Sequence, residues 1–197
     1  MSVIQNLTPY QYLQLQATDH IRVLSLEPGY GNDILRCHLT EVSLDEAECK
    51  YEGISYFWGG DGDVTNIECE GRKLSIQANL ASALKTFRYA AGCRWLWADS
   101  VCINQKDSTE KGYQVRRMGE IYRKSSRVLC WIGNDDRSIA ERSFRLVRDA
   151  SQQLAYKWQD DWTFENLVND SKLPGFTRET HEPFVTLLNL PWFGRVW

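Results

Sequence analysis

The chain has 197 residues, of which 43% are hydrophobic and 25% charged, enough to bury the core of a single soluble domain. Its net charge of -3 excludes a protein that wraps nucleic acid, a task that needs a clustered basic surface. No apolar run approaches the ~18 residues of a membrane span, and no secretory signal opens the chain, so a cytoplasmic protein with no membrane span is expected.

Residues 1–19 are polar and Gln-rich and read as an N-terminal extension, with a short helix expected at Tyr10 to Gln16; the domain proper is expected over 20–197. Ile21 to Leu26 and Ile34 to Thr40 alternate apolar and polar residues around Pro28-Gly29-Tyr30-Gly31, predicting two strands joined by a turn-rich loop. Ile54 to Trp58 is a continuous apolar and aromatic run ended by Gly59-Gly60, the pattern of a strand buried on both faces. Ile67 to Glu70, Gly71, and Lys73 to Ile76 read as a small inserted hairpin that merely decorates the domain. Asn79 is expected to cap a helix carrying Leu80, Ala83, Leu84 and Phe87 on one face, with Gly92 as its stop. Arg94 to Val101 and Arg127 to Ile132 are the next strands, and a helix opened by Asp107 lies between them. Ser138 to Gln153 predicts a further helix, Lys157 to Thr180 a long loop or insertion, and Glu182 to Asn189 a last short helix before Pro191. The alternation of strand and helix implies an α/β fold with right-handed crossovers and a mainly parallel central sheet flanked by helices, to which the hairpin and an N-terminal β extension are added.

In the helix after Asp107, at about 100° per residue, Val115, Met118 and Tyr122 form a buried stripe, and Tyr113, Arg116, Gly119, Glu120 and Arg123 face away. The basic residues Arg116, Arg117, Arg123, Lys124 and Arg127 are interleaved with Glu110 and Glu120 and read as a solvated surface. Glu110 lies in the first turn, where a carboxylate suits the helix dipole. Gln114 falls at the margin of the buried stripe, where its amide either hydrogen-bonds Asn104 or Asp99 or lines a pocket.

Six cysteines at positions 37, 49, 69, 93, 102 and 130 form no close pair, so reduced core thiols are expected. No metal is expected either, since His20, His38 and His181 are not spaced as zinc ligands to a Cys pair. Asp99 sits near the carboxyl end of its strand, where open α/β sheets bind ligands; the alternative is a loop carboxylate satisfying backbone N–H groups. Asn104 and Gln105 can order the same loop by Asx-type turns. Cys102 has no histidine nearby in sequence to activate it and reads as a packing residue. Tyr56, Trp97 and Trp131 read as core, and Trp58 beside Gly59 as core or as one wall of a nucleotide crevice. No phosphate loop of the Gly-x-x-x-x-Gly-Lys type and no Gly-x-Gly-x-x-Gly after a strand is present, which excludes the kinase and Rossmann dehydrogenase readings.

Three separated motifs occur in order: Tyr51-Glu52-Gly53-Ile54-Ser55-Tyr56-Phe57-Trp58-Gly59; Trp97-Ala98-Asp99-Ser100-Val101-Cys102-Ile103-Asn104-Gln105 followed by Glu110, Gln114, Met118 and Tyr122; and Pro191-Trp192-Phe193-Gly194-Arg195-Val196-Trp197. Together, with a weaker match at Arg22 to Leu26, they resemble the fungal heterokaryon incompatibility (HET) domain over roughly residues 20 to 197. Gly53 stands where that family more often has Ala, and Ala98 where it has a branched residue. The resemblance marks Ser55, Tyr56, Trp58, Gly59, Asp99, Asn104, Gln105, Glu110, Gln114, Arg195 and Trp197 as candidate motif or pocket residues. It implies a role in nonself recognition, in which the domain triggers programmed cell death when a protein partner or upstream receptor activates it. The HET domain in turn resembles the TIR fold, in which a Trp followed shortly by a Glu supplies the acid that cleaves NAD. NAD is then a possible substrate rather than a resident cofactor, the expected Glu lies beyond Trp197, and self-association on activation is implied. A non-catalytic signalling module and a degenerate scaffold are the competing expectations.

Overall fold

The computed structural model describes residues 3–59, 63–134, 138–155 and 178–194. They fall in two compact units, Met1–Gly133 and Asn134–Trp197.

The first unit is built on a seven-stranded sheet: β1 (His20–Leu26), β2 (Arg36–Ser43), β3 (Glu52–Tyr56), β4 (Val64–Cys69), β5 (Arg72–Gln77), β6 (Arg94–Trp97) and β7 (Val128–Trp131), in the spatial order β5-β4-β2-β1-β6-β3-β7. The fold is α/β, and the sheet is mixed. The β6–β3–β7 ladder is parallel, as the alternation of strands with helices α1 (Ala78–Phe87) and α3 (Ser108–Lys124) requires, and β2 is parallel to β4. The expected parallel order stops at β1, which runs antiparallel to both β2 and β6; the short connection between β1 and β2 leaves no room for a crossover and so sets the first of these pairings. The hairpin β4–β5, turned at Glu70-Gly71 with φ of 53° and 70°, is no decoration: through β4 it extends the main sheet beyond β2. It leaves Ile67, Cys69, Leu74 and Ile76 buried in the common core.

β3 is buried along its whole length, as its uninterrupted apolar run predicts. The pleat sends its successive residues to opposite faces. Gly53, paired with Trp97, meets the Tyr122 ring of α3, whereas Glu52, paired with Leu96, meets Arg94, whose guanidinium reaches the Phe87 carbonyl at the end of α1. A methyl group at Gly53 would lie 2.8 Å from Tyr122 Cδ1, so α3 sits closer here than Ala, the residue more frequent in the family, would allow without a shift of that ring. On the other side of the strand, Glu52 is held by both Arg94 and Arg127, and the Arg94 hydrogen bond keeps its carboxyl below the usual range.

Three local expectations change. Residues 10–16 form no helix: Tyr10 donates its backbone N–H to Lys73 O and Lys73 donates back to Thr8 O, so the segment after Pro9 lies extended along β5. The 94–101 strand ends at Trp97, and Asp99–Cys102 form the short helix α2. Helix α1 stops at Phe87, before Gly92, and its N-cap is Gln77. Asn79 instead donates to Phe57 O and accepts from Trp131 Nε1 at 2.8 Å, joining the exits of β3 and β7.

In the second unit, α4 (Ile139–Ala155) packs on α5 (Arg178–Leu188), with Ser143 and Leu187 buried. The 157–180 loop expectation falls mostly outside the described residues. Among the described residues no helix is long and apolar enough to cross a membrane.

Candidate functional site

Because β3 and β6 are parallel neighbours, their chain exits lie side by side at one edge of the sheet, and these exits carry Trp58 and Asp99. The Trp58 indole N–H reaches both Asp99 carboxylate oxygens at 3.1 Å. Asp99 is buried, whereas Trp58, at the cleft wall, is 37% exposed. The carboxylate therefore fixes the ring without covering it. Asp99 Oδ1 also accepts the Ser100 N–H at 2.8 Å, and the Asp99 carbonyl accepts Gln105 Nε2 at 2.9 Å. Below them the Tyr56 hydroxyl donates to Ser100 Oγ at 2.5 Å; burial, and then the Asp99 charge, push that phenol well above its ordinary pKa and keep it neutral. Gly59, at φ 89°, turns the chain away immediately after Trp58, a conformation that side-chain-bearing residues resist. Ser55 is buried within β3.

A cleft of about 630 Å³ opens beside this cluster. One wall is the N-terminal segment Pro9–Tyr12, another is β5 from Lys73 to Gln77, and the third carries Trp58, Ser100, Asn104, Gln105 and Lys106. The volume is that of a typical small-molecule site. Gln77 and Gln105 each keep a buried side-chain oxygen without a donor, an uncommon state for a buried acceptor. Among the described residues no group of His, Cys, Asp or Glu is placed to hold a metal ion.

Glu110 and Gln114 stand apart from this cluster. Glu110 does more than suit the helix dipole, a task shared with Asp107, which caps α3 by accepting from the Thr109 and Glu110 N–H groups. Its carboxylate forms a bidentate pair with Arg22 at 2.5 and 2.9 Å, both side chains 4% exposed, and accepts the Asn104 N–H at 2.7 Å. Arg22 in turn donates to Cys102 O and Leu13 O and lies over the Tyr12 ring. Burial opposes the Arg22 charge, yet the Glu110 hydrogen bond and charge hold its pKa above the ordinary value. Gln114 is buried and donates to His20 O at 2.7 Å, not to Asn104 or Asp99. It takes the inward position expected of Val115, which is 48% exposed; Ile121, Met118 and Tyr122 complete the packed face. The Cys102 thiol is buried, and burial raises its pKa to about 12, which leaves it inert as a nucleophile. Arg195 and Trp197 lie outside the described residues; the Trp192 and Phe193 rings before them pack edge to face.

The sequence reading missed Tyr10, Gln11, Tyr12 and Lys73 as cleft residues, since only the strand-like contact of the N-terminal segment with β5 brings them together. Ser100 and Lys106 were within reach, being chain neighbours of Asp99 and Gln105 in the second motif.

No solved structure matches the chain. It is 28% identical over 229 residues to the protein named Heterokaryon incompatibility protein 6, OR allele, of Neurospora crassa, an alignment that covers 98% of this chain and 33% of that protein. The chain thus spans about a third of that relative's length. The family model described as Heterokaryon incompatibility protein (HET) matches residues 51–197, which take in all three ordered motifs and the Trp58–Asp99 edge. The chain belongs to the heterokaryon incompatibility (HET) family.

Proposed function

We propose that this chain is the effector part of a fungal heterokaryon incompatibility protein, acting in the cytoplasm to trigger cell death when an incompatible partner or an upstream receptor drives its self-association. The observation that carries the reading is the meeting of Trp58 and Asp99 at the carboxyl edge of adjacent parallel strands, beside a cleft large enough for a nucleotide. Within that reading NAD is the substrate. An oxocarbenium-like ribosyl centre forms as the bond to nicotinamide breaks and nicotinamide leaves; a carboxylate stabilises the positive charge until water adds to the ribosyl carbon and gives up a proton, and Trp58 supplies an aromatic wall of the nucleotide crevice. The acid is the Glu expected after Trp197 in the longer protein, as the family resemblance implies. NAD turnover by that longer protein, set against its Glu-to-Ala variant, tests the reading. Loss of turnover in the variant supports it, and absence of turnover in both removes it.

A second reading, a non-catalytic module that acts by assembly, draws on a different observation. Asp99, Glu110 and Gln114 all spend hydrogen bonds on holding this chain together. Cell death that persists in the Glu-to-Ala variant would favour it.

A further inference from the structure

The cleft beside Trp58 differs in charge from the chain around it. Acidic residues outnumber basic ones in the sequence, 26 to 23, yet among the described residues the cleft is lined by Lys73 and Lys106 and by no carboxylate. The two lysines come from different elements, β5 and the loop after α2, and neither forms an ion pair among the described residues. Two cations on two walls of one cavity, unpaired among the described residues, are suited to a polyanion that lies between them, because an ammonium group binds phosphate as a compact point charge. Trp58 adds a flat face. Its indole is fixed by both Asp99 oxygens while the ring stays open, so stacking on it costs little side-chain entropy. Gln77 and Gln105, both in the lining and each with a side-chain oxygen lacking a donor, add hydrogen-bonding groups to the walls.

We infer that this cleft takes a phosphorylated ligand carrying a flat ring, a mononucleotide or dinucleotide, with Lys73 and Lys106 as its phosphate contacts and Trp58 as its stacking face. The inference rests on the nucleotide reading above and assigns its anchoring residues. It also gives the N-terminal segment a part in the site, since the backbone bonds of Thr8 and Tyr10 to Lys73 hold that wall in place.

Calorimetric titration of the 197-residue chain with inorganic pyrophosphate, AMP and ADP-ribose tests it without any turnover. All three are expected to bind, ADP-ribose most tightly. Lys73→Ala and Lys106→Ala should each weaken binding about tenfold, with recovery in the Lys→Arg variants, since a charge-assisted contact is worth about that factor. Trp58→Ala should weaken AMP and ADP-ribose and leave pyrophosphate unchanged. ADP-ribose binding that ignores both lysine substitutions overturns the anchoring assignment while leaving the nucleotide reading intact, and failure of all three probes overturns the inference. Binding by this chain combined with no NAD turnover by the longer protein upholds the inference and removes the hydrolysis reading.

Discussion

Two acidic groups at the same edge of the sheet have opposite fates. Glu110 is sealed: its carboxylate takes both terminal nitrogens of Arg22 and the Asn104 N–H, and Arg22 spends its remaining bonds on Leu13 and Cys102. The result ties the N-terminal segment, β1, α2 and α3 into one block. Asp99 is equally buried, but its main partner is an aromatic ring that borders a cavity. Both carboxylates belong to one motif in sequence, and only their partners separate a brace from a candidate site. A charge enclosed by chain segments fixes architecture, whereas a charge that orients an open side chain prepares a surface for something else.

That contrast can be broken most forcefully at the brace. Arg22→Ala or Glu110→Ala leaves an uncompensated buried charge and should cost about 3–5 kcal/mol in urea unfolding, while the double replacement Arg22→Met with Glu110→Leu should recover most of the loss. Equal losses in the single and double variants would show that the pair is not the brace. Gly53→Ala comes next. Its methyl group would meet the Tyr122 ring at 2.8 Å, and about 1–3 kcal/mol of overpacking is expected by the same measurement.

Alkaline pH gives a smaller, graded effect. Burial holds the Cys102 thiol at about 12, above the 9.0 of a free thiol. Its contribution is therefore complete below pH 9 and is lost as pH rises toward 12. Stability should fall by about 1 kcal/mol per pH unit on its account above pH 9, a share missing from the slope of Cys102→Ala. The neutral Tyr56 phenol adds to the fall in the same direction. The smallest change in stability is expected at the cleft: Asp99→Asn keeps an acceptor for Trp58 and should cost under about 1 kcal/mol by thermal unfolding. A loss as large as that of Glu110→Ala would erase the distinction between the two carboxylates.

Much of this architecture is legible in the residues. The apolar run at Ile54, the β4–β5 hairpin and the Asp107 cap each carry a local signal strong enough to place an element, and the position of Asp99 past its strand follows from the strand–helix order. What sequence does not show is partnership over distance. Periodicity ranks Gln114 as marginal and Val115 as buried, yet the His20 carbonyl 94 positions away needs a donor and draws the amide inward. Arg22 carries no mark of its bond to Glu110, 88 positions distant. Residues 8–12 carry only the short alternation Tyr10-Gln11-Tyr12 to betray that they run along an edge strand, too little to outweigh the expectation of a helix, and a cleft wall is the outcome.

The division of labour between the two carboxylates is tested most directly by removing the side chain that Asp99 holds: Trp58→Ala in a longer protein containing this chain, measured for cell death in a fungal host alongside its melting temperature. We expect death to be abolished or sharply reduced while the melting temperature stays within about 2 °C of the unsubstituted protein. Full killing at an unchanged melting temperature would contradict the assignment of the Trp58–Asp99 edge as the working site.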